Sequence, residues 1–404
     1  MSTTAQPALS SPKLILIVDD TPVNLGVILG ALKDFYKTKI ATNGERALAL
    51  ASADEKPDLI LLDVMMPGMD GYEVCCRLKA DPATCEIPVI FLTGQTSVAD
   101  ETRGFEVGGV DYVHKPFSPA VVKARVRSHI FLREARAQLA EQLHAINNEL
   151  ELARQIQLSI LPHSLPQLPG LDMAARFLPM TSVAGDFYDF IQIDNTHLGM
   201  IMADVSGHGL PSALIASMLQ VALTAQVGHS SEPAKVLRGL NRALCGKFTD
   251  NFVTAAYVYV DLEKNLMRYA GAGHPPVLQF RNATGKAAQV LQNGLILGMF
   301  EEATYEALEL ALEPGDRHIL YTDGIVEAAN PAKELYGTDR FMRFMESNKS
   351  LAADPFADAL LAEIANWTGL SADQGQQDDI TLLAFDFNAR KDPDISRSKI
   401  IVRS

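Results

Sequence analysis

Apolar runs recur through the first third of the chain, at Leu14-Ile15-Leu16-Ile17-Val18, Leu59-Ile60-Leu61-Leu62 and Val89-Ile90-Phe91-Leu92. Runs without polar alternation predict strands buried on both faces, and the helix-length segments between them predict a parallel arrangement. Residues Lys13 to about Arg127 therefore read as a doubly wound parallel α/β domain. In such sheets ligands bind at the carboxyl ends of strands. Three of these runs end in Asp19-Asp20, Asp63 and Thr93, and a fourth strand, Tyr112-Val113-His114, ends in Lys115-Pro116.

A different pattern follows. After Pro119 the sequence to Ile160 holds no Gly or Pro and is rich in Ala, Leu, Glu, Gln and Arg, which predicts one long helix or two nearly continuous ones. Leu132, Leu139, Ile146, Ala153 and Ile160 recur every seventh position, with Leu143 and Leu150 at companion core sites. His129, Arg136 and Gln157 occupy the other companion sites and are polar. A helix packed on its own domain is one reading; the seam of a parallel coiled-coil dimer is the one we favour. At 1.5 Å per residue, Leu132 to Ile160 spans roughly 43 Å. Leu161-Pro162 stops the helix, and Pro166, Pro169 and Gly170 mark a boundary loop.

Beyond that loop, strand-like stretches predominate: Leu198–Ala203, Thr254–Val260, Val277–Phe280, His318–Thr322 and Ile380–Phe385. Helical stretches intervene at Pro211–Gln226, Pro233–Cys245 and Asp354–Trp367, so this is an α+β domain. The chain thus divides into a first domain at 12–130, a helical linker at 131–164, a second domain at 165–388 and a tail at 389–404. The tail is polar and reads as disordered until Lys399–Arg403.

Composition narrows the class. The 404 residues correspond to two or three domains at roughly 150 residues each. Hydrophobic residues make up 48% and charged residues 21%, which excludes wholesale disorder. With 35 basic against 49 acidic residues, the formal charge of -14 opposes attraction to phosphate backbones. No helix-turn-helix or basic output face is recognisable either, so direct nucleic-acid binding is not expected. Cys75, Cys76, Cys85 and Cys245 show no C-x-x-C spacing, which fits a reducing cytoplasm and neither a disulfide framework nor a zinc site. Residues Met1–Ser11 lack the pattern of an export signal, and no run of 18 apolar residues occurs, so no membrane association is expected.

The strand-end residues of the first domain form a chemically specific set. Asp19, Asp20 and Asp63 suit one hard, oxygen-seeking cation such as Mg2+. Together with Lys115 it would neutralise a phosphoryl group attacked by a carboxylate, while Thr93 could hydrogen-bond a phosphate oxygen. Capping aspartates and a surface lysine account for any one of these residues, not for all five at successive strand ends. The stretches Ile17-Val18-Asp19-Asp20, Leu62-Asp63-Val64-Met65-Met66-Pro67-Gly68-Met69-Asp70-Gly71 and His114-Lys115-Pro116-Phe117 resemble the response-regulator receiver family, which is flavodoxin-like in fold. The resemblance implies that Asp63 is the phosphoacceptor, with Asp20, Asp63 and the Met65 carbonyl on Mg2+ and Asp19 mainly acting through water. It also implies that Thr93 and Tyr112 are the switch pair and that a sensor histidine kinase is the partner.

In the second domain four aspartates stand in Gly-flanked or strand-end contexts: Gly185-Asp186-Phe187-Tyr188-Asp189, Ala203-Asp204-Val205-Ser206-Gly207-His208-Gly209, Tyr321-Thr322-Asp323-Gly324 and Gln377-Asp378-Asp379-Ile380-Thr381. Singly each is ordinary turn chemistry. Together they suit two hard dications roughly 3.5 to 4 Å apart that activate water and orient a phosphate. No G-x-S-x-G elbow, C-x5-R loop or P-loop offers a competing chemistry. These stretches, with Gly271-Ala272-Gly273-His274-Pro275-Pro276, Leu297-Gly298 and Tyr321 to Ala328, resemble the metal-dependent serine/threonine phosphatases of type 2C (PPM) in their SpoIIE-like branch. The resemblance implies an α-β-β-α sandwich and two Mn2+ or Mg2+ ions. Asp186 would bridge the ions, with the Val205 carbonyl, Asp204, Asp323 and Asp378 completing the shell. Asp189 and Asp379 are left as outer groups, and His208 and His274 as turn and loop residues.

Two functions are compatible with these residues. One is a response regulator whose phosphorylation at Asp63 controls a phosphatase acting on a phosphoserine or phosphothreonine protein, an anti-sigma factor antagonist by family resemblance. The other is a non-catalytic adaptor that binds a sigma or anti-sigma protein. Loss of metal ligands would mark the adaptor, and the ligand series here is intact.

Overall fold

The computed structural model describes residues 12–94, 98–248, 251–369, 376 and 378–388, with the backbone of a two-residue strand at Ile401–Val402. Two compact units divide between Ala145 and Ile146. The rest of the tail expected at 389–404 lies outside the described residues.

Unit 1 alternates strands and helices: β1 (Leu14–Val18), α1 (Pro22–Leu32), β2 (Lys37–Ala41), α2 (Gly44–Ala51), β3 (Leu59–Asp63), α3 (Gly71–Ala80), β4 (Val89–Thr93), α4 (Val98–Glu106), β5 (Asp111–His114) and the start of α5 (Pro119–Ile160), which from Ile146 on belongs to unit 2. The strands form one parallel sheet in the order β2-β1-β3-β4-β5. Alternate residues of β1 serve two different cores. Leu16 and Val18 pack with Val74, Cys75 and Leu78 of α3, while Ile15 and Ile17 pack with Leu25 and Ile28 of α1 and Val122 and Val126 of α5. Each such side chain contributes about 1.5–3 kcal/mol on burial, which explains the unbroken apolar runs. Strand β2 was not evident from the sequence. It is an edge strand, and its Lys37 and Lys39 project to Glu55.

Helix α5 is continuous, as its composition predicts. Val122, Val126 and Ile130 are buried in the core of unit 1, whereas Leu132, Leu139, Leu143 and Ile146 of the heptad stripe are about half exposed, at 45–56%. In its last turns, within unit 2, Leu158 packs on the core and Gln157 is buried.

Unit 2 contains β6 (Leu171–Leu178), β7 (Phe187–Gln192), β8 (His197–Val205), α6 (Leu210–Thr224), α7 (Pro233–Leu244), β9 (Val253–Asp261), β10 (Leu266–Ala272), β11 (Val277–Arg281), β12 (Lys286–Val290), β13 (Leu308–Ala311), β14 (Arg317–Tyr321), α8 (Thr338–Ser347), α9 (Ala353–Thr368), β15 (Ile380–Phe387) and β16 (Ile401–Val402). Two sheets form, ordered β13-β10-β9-β8-β7 and β12-β11-β14-β15-β6-β16, and only the β16–β6 pair is parallel. One core joins the facing sides of both sheets to α6 and α7; a second joins the outer side of the β14–β15 sheet to α8 and α9. The layers are therefore α-β-β-α. Two register facts matter for the site. Phe187 faces Ala203 across β7 and β8, which brings Asp186 opposite Asp204. Tyr321 faces Leu382 across β14 and β15, which brings Asp323 close to Asp378 and Asp379.

Candidate functional site

In unit 1 the ends of β1, β3 and β5 converge. Carboxylate oxygens of Asp19, Asp20 and Asp63 lie within 4.8 Å of one another, with Asp19 and Asp63 buried and Asp20 exposed. Lys115 Nζ donates to Asp19 Oδ2 at 3.0 Å and stands 2.8 Å from Asp63 Oδ2. Burial raises the Asp63 pKa, an effect that Lys115 opposes and the neighbouring Asp19 charge reinforces. Burial disfavours charge on Lys115, yet the bonds to Asp63 and Asp19 prevail and its pKa is raised. Asp19 is also fixed by Asn24 Nδ2 at 3.0 Å and the Thr21 amide at 2.9 Å, two partners the sequence motif did not single out. The Met65 amide donates to Asp63 Oδ1 at 3.3 Å, so the residue expected to offer its carbonyl lies beside the acid. Thr93 is buried at the end of β4, and the Lys115 amide donates to its carbonyl. Tyr112 is turned inward, stacked on Phe91 and edge-on to Phe105.

In unit 2 the acids arrive from both sheets. Asp186 is buried, and its Oδ2 accepts bonds from Thr322 Oγ1 at 2.8 Å and from Thr381 Oγ1. The adjoining Gly185 is confined: a Cβ there would stand 2.7 Å from the Val205 carbonyl oxygen. That oxygen, one of the expected metal donors, therefore faces the Gly185–Asp186 turn. A Cβ at Gly324 would run into the Asp379 carbonyl, so the Asp323-Gly324 turn packs directly on the start of β15.

Burial raises the pKa of Asp186 well above the carboxylate range, and the charges of Asp204 and Asp379 add to this. Burial, then Asp323 and Asp378, pushes Asp204 up to about 7, and burial with Asp378 and Glu327 pushes Asp323 up to about 6. Among the described residues no Lys or Arg forms an ion pair with Asp186, Asp204, Asp323 or Asp378. An all-oxygen set of mutually repelling carboxylates without an internal cation fits hard dications such as Mg2+ or Mn2+.

The remaining acids divide. Asp378 is exposed and accepts from the Asp379 amide, whereas both oxygens of Asp379 are taken by the Met180 and Gly185 amides at 2.6 and 2.7 Å. Asp379 thus acts as a clamp on the Asp186 turn. Asp189 stands apart from the cluster. Its Oδ1 accepts from the Phe190 amide, and its side chain lines a cleft of about 460 Å3 with Pro162, Leu165 and Gln192. His208 is exposed. His274 is buried on Thr254 Oγ1 at 2.9 Å, with burial depressing its pKa to about 3, so it is neutral near pH 7. Glu327 and the two threonines lie inside the quoted motifs, but only the three-dimensional pairing shows that they act on the aspartates.

Residues 15–127 match the family model for the response regulator receiver domain, and residues 194–388 match that for stage II sporulation protein E (SpoIIE). The first stretch is thus similar to receiver domains and the second to SpoIIE, each over less than half of the chain. Phosphoserine phosphatase RsbU of Bacillus subtilis is 31% identical over 183 residues, which are 45% of this chain and 54% of RsbU. Response regulator PleD of Caulobacter vibrioides is 45% identical over 115 residues, 28% of this chain and 25% of PleD. The chain therefore spans about half or less of the length of these relatives. The SiaA-PP2C domain of Pseudomonas aeruginosa superposes with a TM-score of 0.54 at 24% identity, covering 62% of this chain and all of that one, which gives unit 2 the PP2C fold. Among the described residues no helix is long and apolar enough to cross a membrane.

Proposed function

We propose that the protein is a two-component response regulator in which phosphorylation of Asp63 by a sensor histidine kinase controls a metal-dependent serine/threonine protein phosphatase. The observation that carries this reading is the meeting of Asp186, Asp204, Asp323 and Asp378 at the edges of two sheets with no cation paired to them among the described residues. The likeness to RsbU supports a phosphoserine protein as substrate, and an anti-sigma factor antagonist is the class we favour. The reading assigns 12–130 to the receiver, 131–164 to a dimerising linker helix and 165–388 to the phosphatase, acting in the cytoplasm.

In the receiver, an Asp63 oxygen would take the phosphoryl group from the kinase and Lys115 would meet the added negative charge, while Asp20, Asp63 and the Met65 carbonyl, with Asp19 mainly through water, would hold Mg2+. Thr93 and Tyr112 report the change. In the phosphatase, Asp186 would contact two ions, with Asp204, Asp323, Asp378 and the Val205 carbonyl around them. Bound there, such ions would lower the pKa of a water so that it loses a proton and becomes a nucleophile, and would supply positive charge to hold the phosphate. Thr322 and Thr381 fix the Asp186 carboxylate, and Asp379 fixes the turn that bears it. The test is phosphate release from a phosphoserine protein with Mn2+, by wild type and Asp63→Ala, with and without beryllofluoride. Release that responds to beryllofluoride only in wild type is expected. An inactive wild type sinks the enzyme reading and leaves the adaptor; a response unchanged by Asp63→Ala sinks the control.

A further inference from the structure

Strand β7 is the last of its sheet, and among the described residues only β8 pairs with it. Gly185 accepts from the Val205 amide and Ile193 donates to the His197 carbonyl, so odd-numbered residues of this stretch bond to β8 and even-numbered ones face the free edge. The outward amide of Phe190 is taken by Asp189 Oδ1 at 2.8 Å. Among the described residues Asp189 Oδ2 has no hydrogen-bond partner, and no Lys or Arg pairs with this acid. Burial raises its pKa against the bond from the Phe190 amide. A half-buried carboxylate is thus held at a sheet edge with one oxygen unspent.

That carboxylate lines the cleft of about 460 Å3 between β7 and the 162–167 loop, a volume within the roughly 300–1,000 Å3 of small-molecule sites. Pro162, Leu165 and Pro166 give it apolar walls, and Phe190 adds a ring that Tyr188 fixes edge-on at 6.0 Å between centroids. The polar lining residues besides Asp189 are Ser164, Gln167 and Gln192, and none of the lining residues is basic. Gln167 turns its Nε2 to the Leu165 carbonyl at 3.4 Å and Gln192 its Nε2 to the Asp194 carbonyl at 3.3 Å, which leaves both Oε1 atoms as acceptors. The cleft therefore offers oxygens, one of them charged, beside an aromatic ring and apolar walls. A hydrated metal ion has no use for the apolar part. An ammonium or guanidinium on a hydrocarbon stem uses all of it: its N–H groups meet the oxygens, its charge meets the acid and the ring, and its stem meets the walls.

We propose that the cleft between β7 and the 162–167 loop is a binding site for an organic cation, an ammonium or guanidinium on an aliphatic stem, with Asp189 as its counter-ion and Phe190 as its aromatic wall. The site is separate from the carboxylates proposed to hold metal, and its occupation is read by binding alone, so it stands whether or not unit 2 hydrolyses phosphate.

The experiment titrates the full chain by calorimetry with n-butylguanidinium, with its uncharged analogue N-butylurea, and with arginine blocked at both ends as its acetyl amide, all at one ionic strength. Wild type should bind at least one of the two cations and not the urea. Asp189→Asn keeps the acceptor for the Phe190 amide and removes the charge; it should bind at least about tenfold more weakly, the worth of one charge-assisted hydrogen bond. Phe190→Leu keeps an apolar wall without the ring and should lose about threefold. Glu301→Gln removes an exposed acid elsewhere in unit 2 and should bind as wild type does. Binding of the blocked arginine assigns the cleft to a side chain of a partner protein; binding of butylguanidinium alone assigns it to a free cation. Should Phe190→Leu fail to fold, as thermal unfolding shows, the isosteric Asp189→Asn decides alone. The proposal is overturned if wild type binds neither cation at millimolar concentration, if N-butylurea binds equally well, if Asp189→Asn keeps wild-type affinity, or if Glu301→Gln loses as much as Asp189→Asn.

Discussion

In unit 1, Lys115 Nζ stands 3.0 Å from Asp19 and 2.8 Å from Asp63, whereas in unit 2 no Lys or Arg among the described residues pairs with Asp186, Asp204, Asp323 or Asp378. The first cluster is compact, with donor atoms of three acids inside 4.8 Å; the second is spread over the edges of two sheets. Formally, three carboxylates and one ammonium leave two negative charges, which one dication matches. Four carboxylates leave four, which two dications match. Both sites place buried acids at strand ends. What separates them is whether a fixed cation already stands inside. On the proposed reading, the unit 1 centre keeps a permanent positive group for an arriving phosphoryl, and the unit 2 centre leaves its charge to be met by metal.

That contrast can be broken most sharply at Asp186. Changing it to Asn should lower Mn2+-dependent phosphate release by more than about 100-fold, measured as initial rate on a phosphoserine protein. A loss of less than tenfold means the reaction centre lies elsewhere.

Lys115→Met probes the other side. It leaves two buried acids without their partner. Because the lysine is only partly exposed, a destabilisation of about 2 kcal/mol near pH 7 is expected, below the ~3–5 kcal/mol of a fully buried pair. Mg2+ should recover much of it, read by urea unfolding of the receiver. No recovery would show that the cation and the metal do not share one charge balance.

Thr381→Val removes one of two hydroxyl donors to Asp186 Oδ2. About a tenfold weakening of Mn2+ dependence is expected, with Thr381→Ser close to wild type. Equal activity of the valine and serine variants would contradict it.

The smallest effect concerns pH. In metal-free protein, Asp204 and Asp323 have folded pKa values raised to about 7 and about 6, above their unfolded values. A raised acid pKa means that the folded state holds the proton more tightly. That stabilisation is present below the unfolded pKa and lost as pH rises through 6 to 7. Without metal, unit 2 should therefore melt at a lower temperature at pH 8 than at pH 5, and saturating Mn2+ should reverse the order, since bound metal favours the ionised acids. The same order with and without Mn2+ would mean that the acids titrate independently of metal.

Much of this is legible in the sequence. The runs at β1, β3 and β4 are buried on both faces, so nothing polar interrupts them. Strand β2 and the edge strands β12 and β13 escaped notice because an edge leaves residues such as Lys37, Lys286 and Glu309 in solvent. Strand β7 mixes Asp189 and Gln192 with its aromatics and has no clean period. Helix α8 was missed because its run Thr338–Ser347 buries only Phe341 and Met345 among polar residues. The aspartates proposed to hold metal in unit 2 stand out through their Gly and Thr neighbours. What those neighbours do does not, because Thr322 and Thr381 reach Asp186 from residues 136 and 195 positions away. Gln157 reads as a flaw in a heptad because its partner, Ala184, lies 27 positions away. Local patterns report chemistry; long-range pairing reports what holds it in position.

The most direct test of the contrast is the number of Mn2+ ions bound per chain at saturation, by equilibrium dialysis of the full-length protein and of Asp186→Asn. One ion in the receiver and two in the phosphatase, three in all, are expected for wild type, with at most one tight site left in the variant. A wild-type chain that binds a single ion, or a variant that still binds three, would contradict the account.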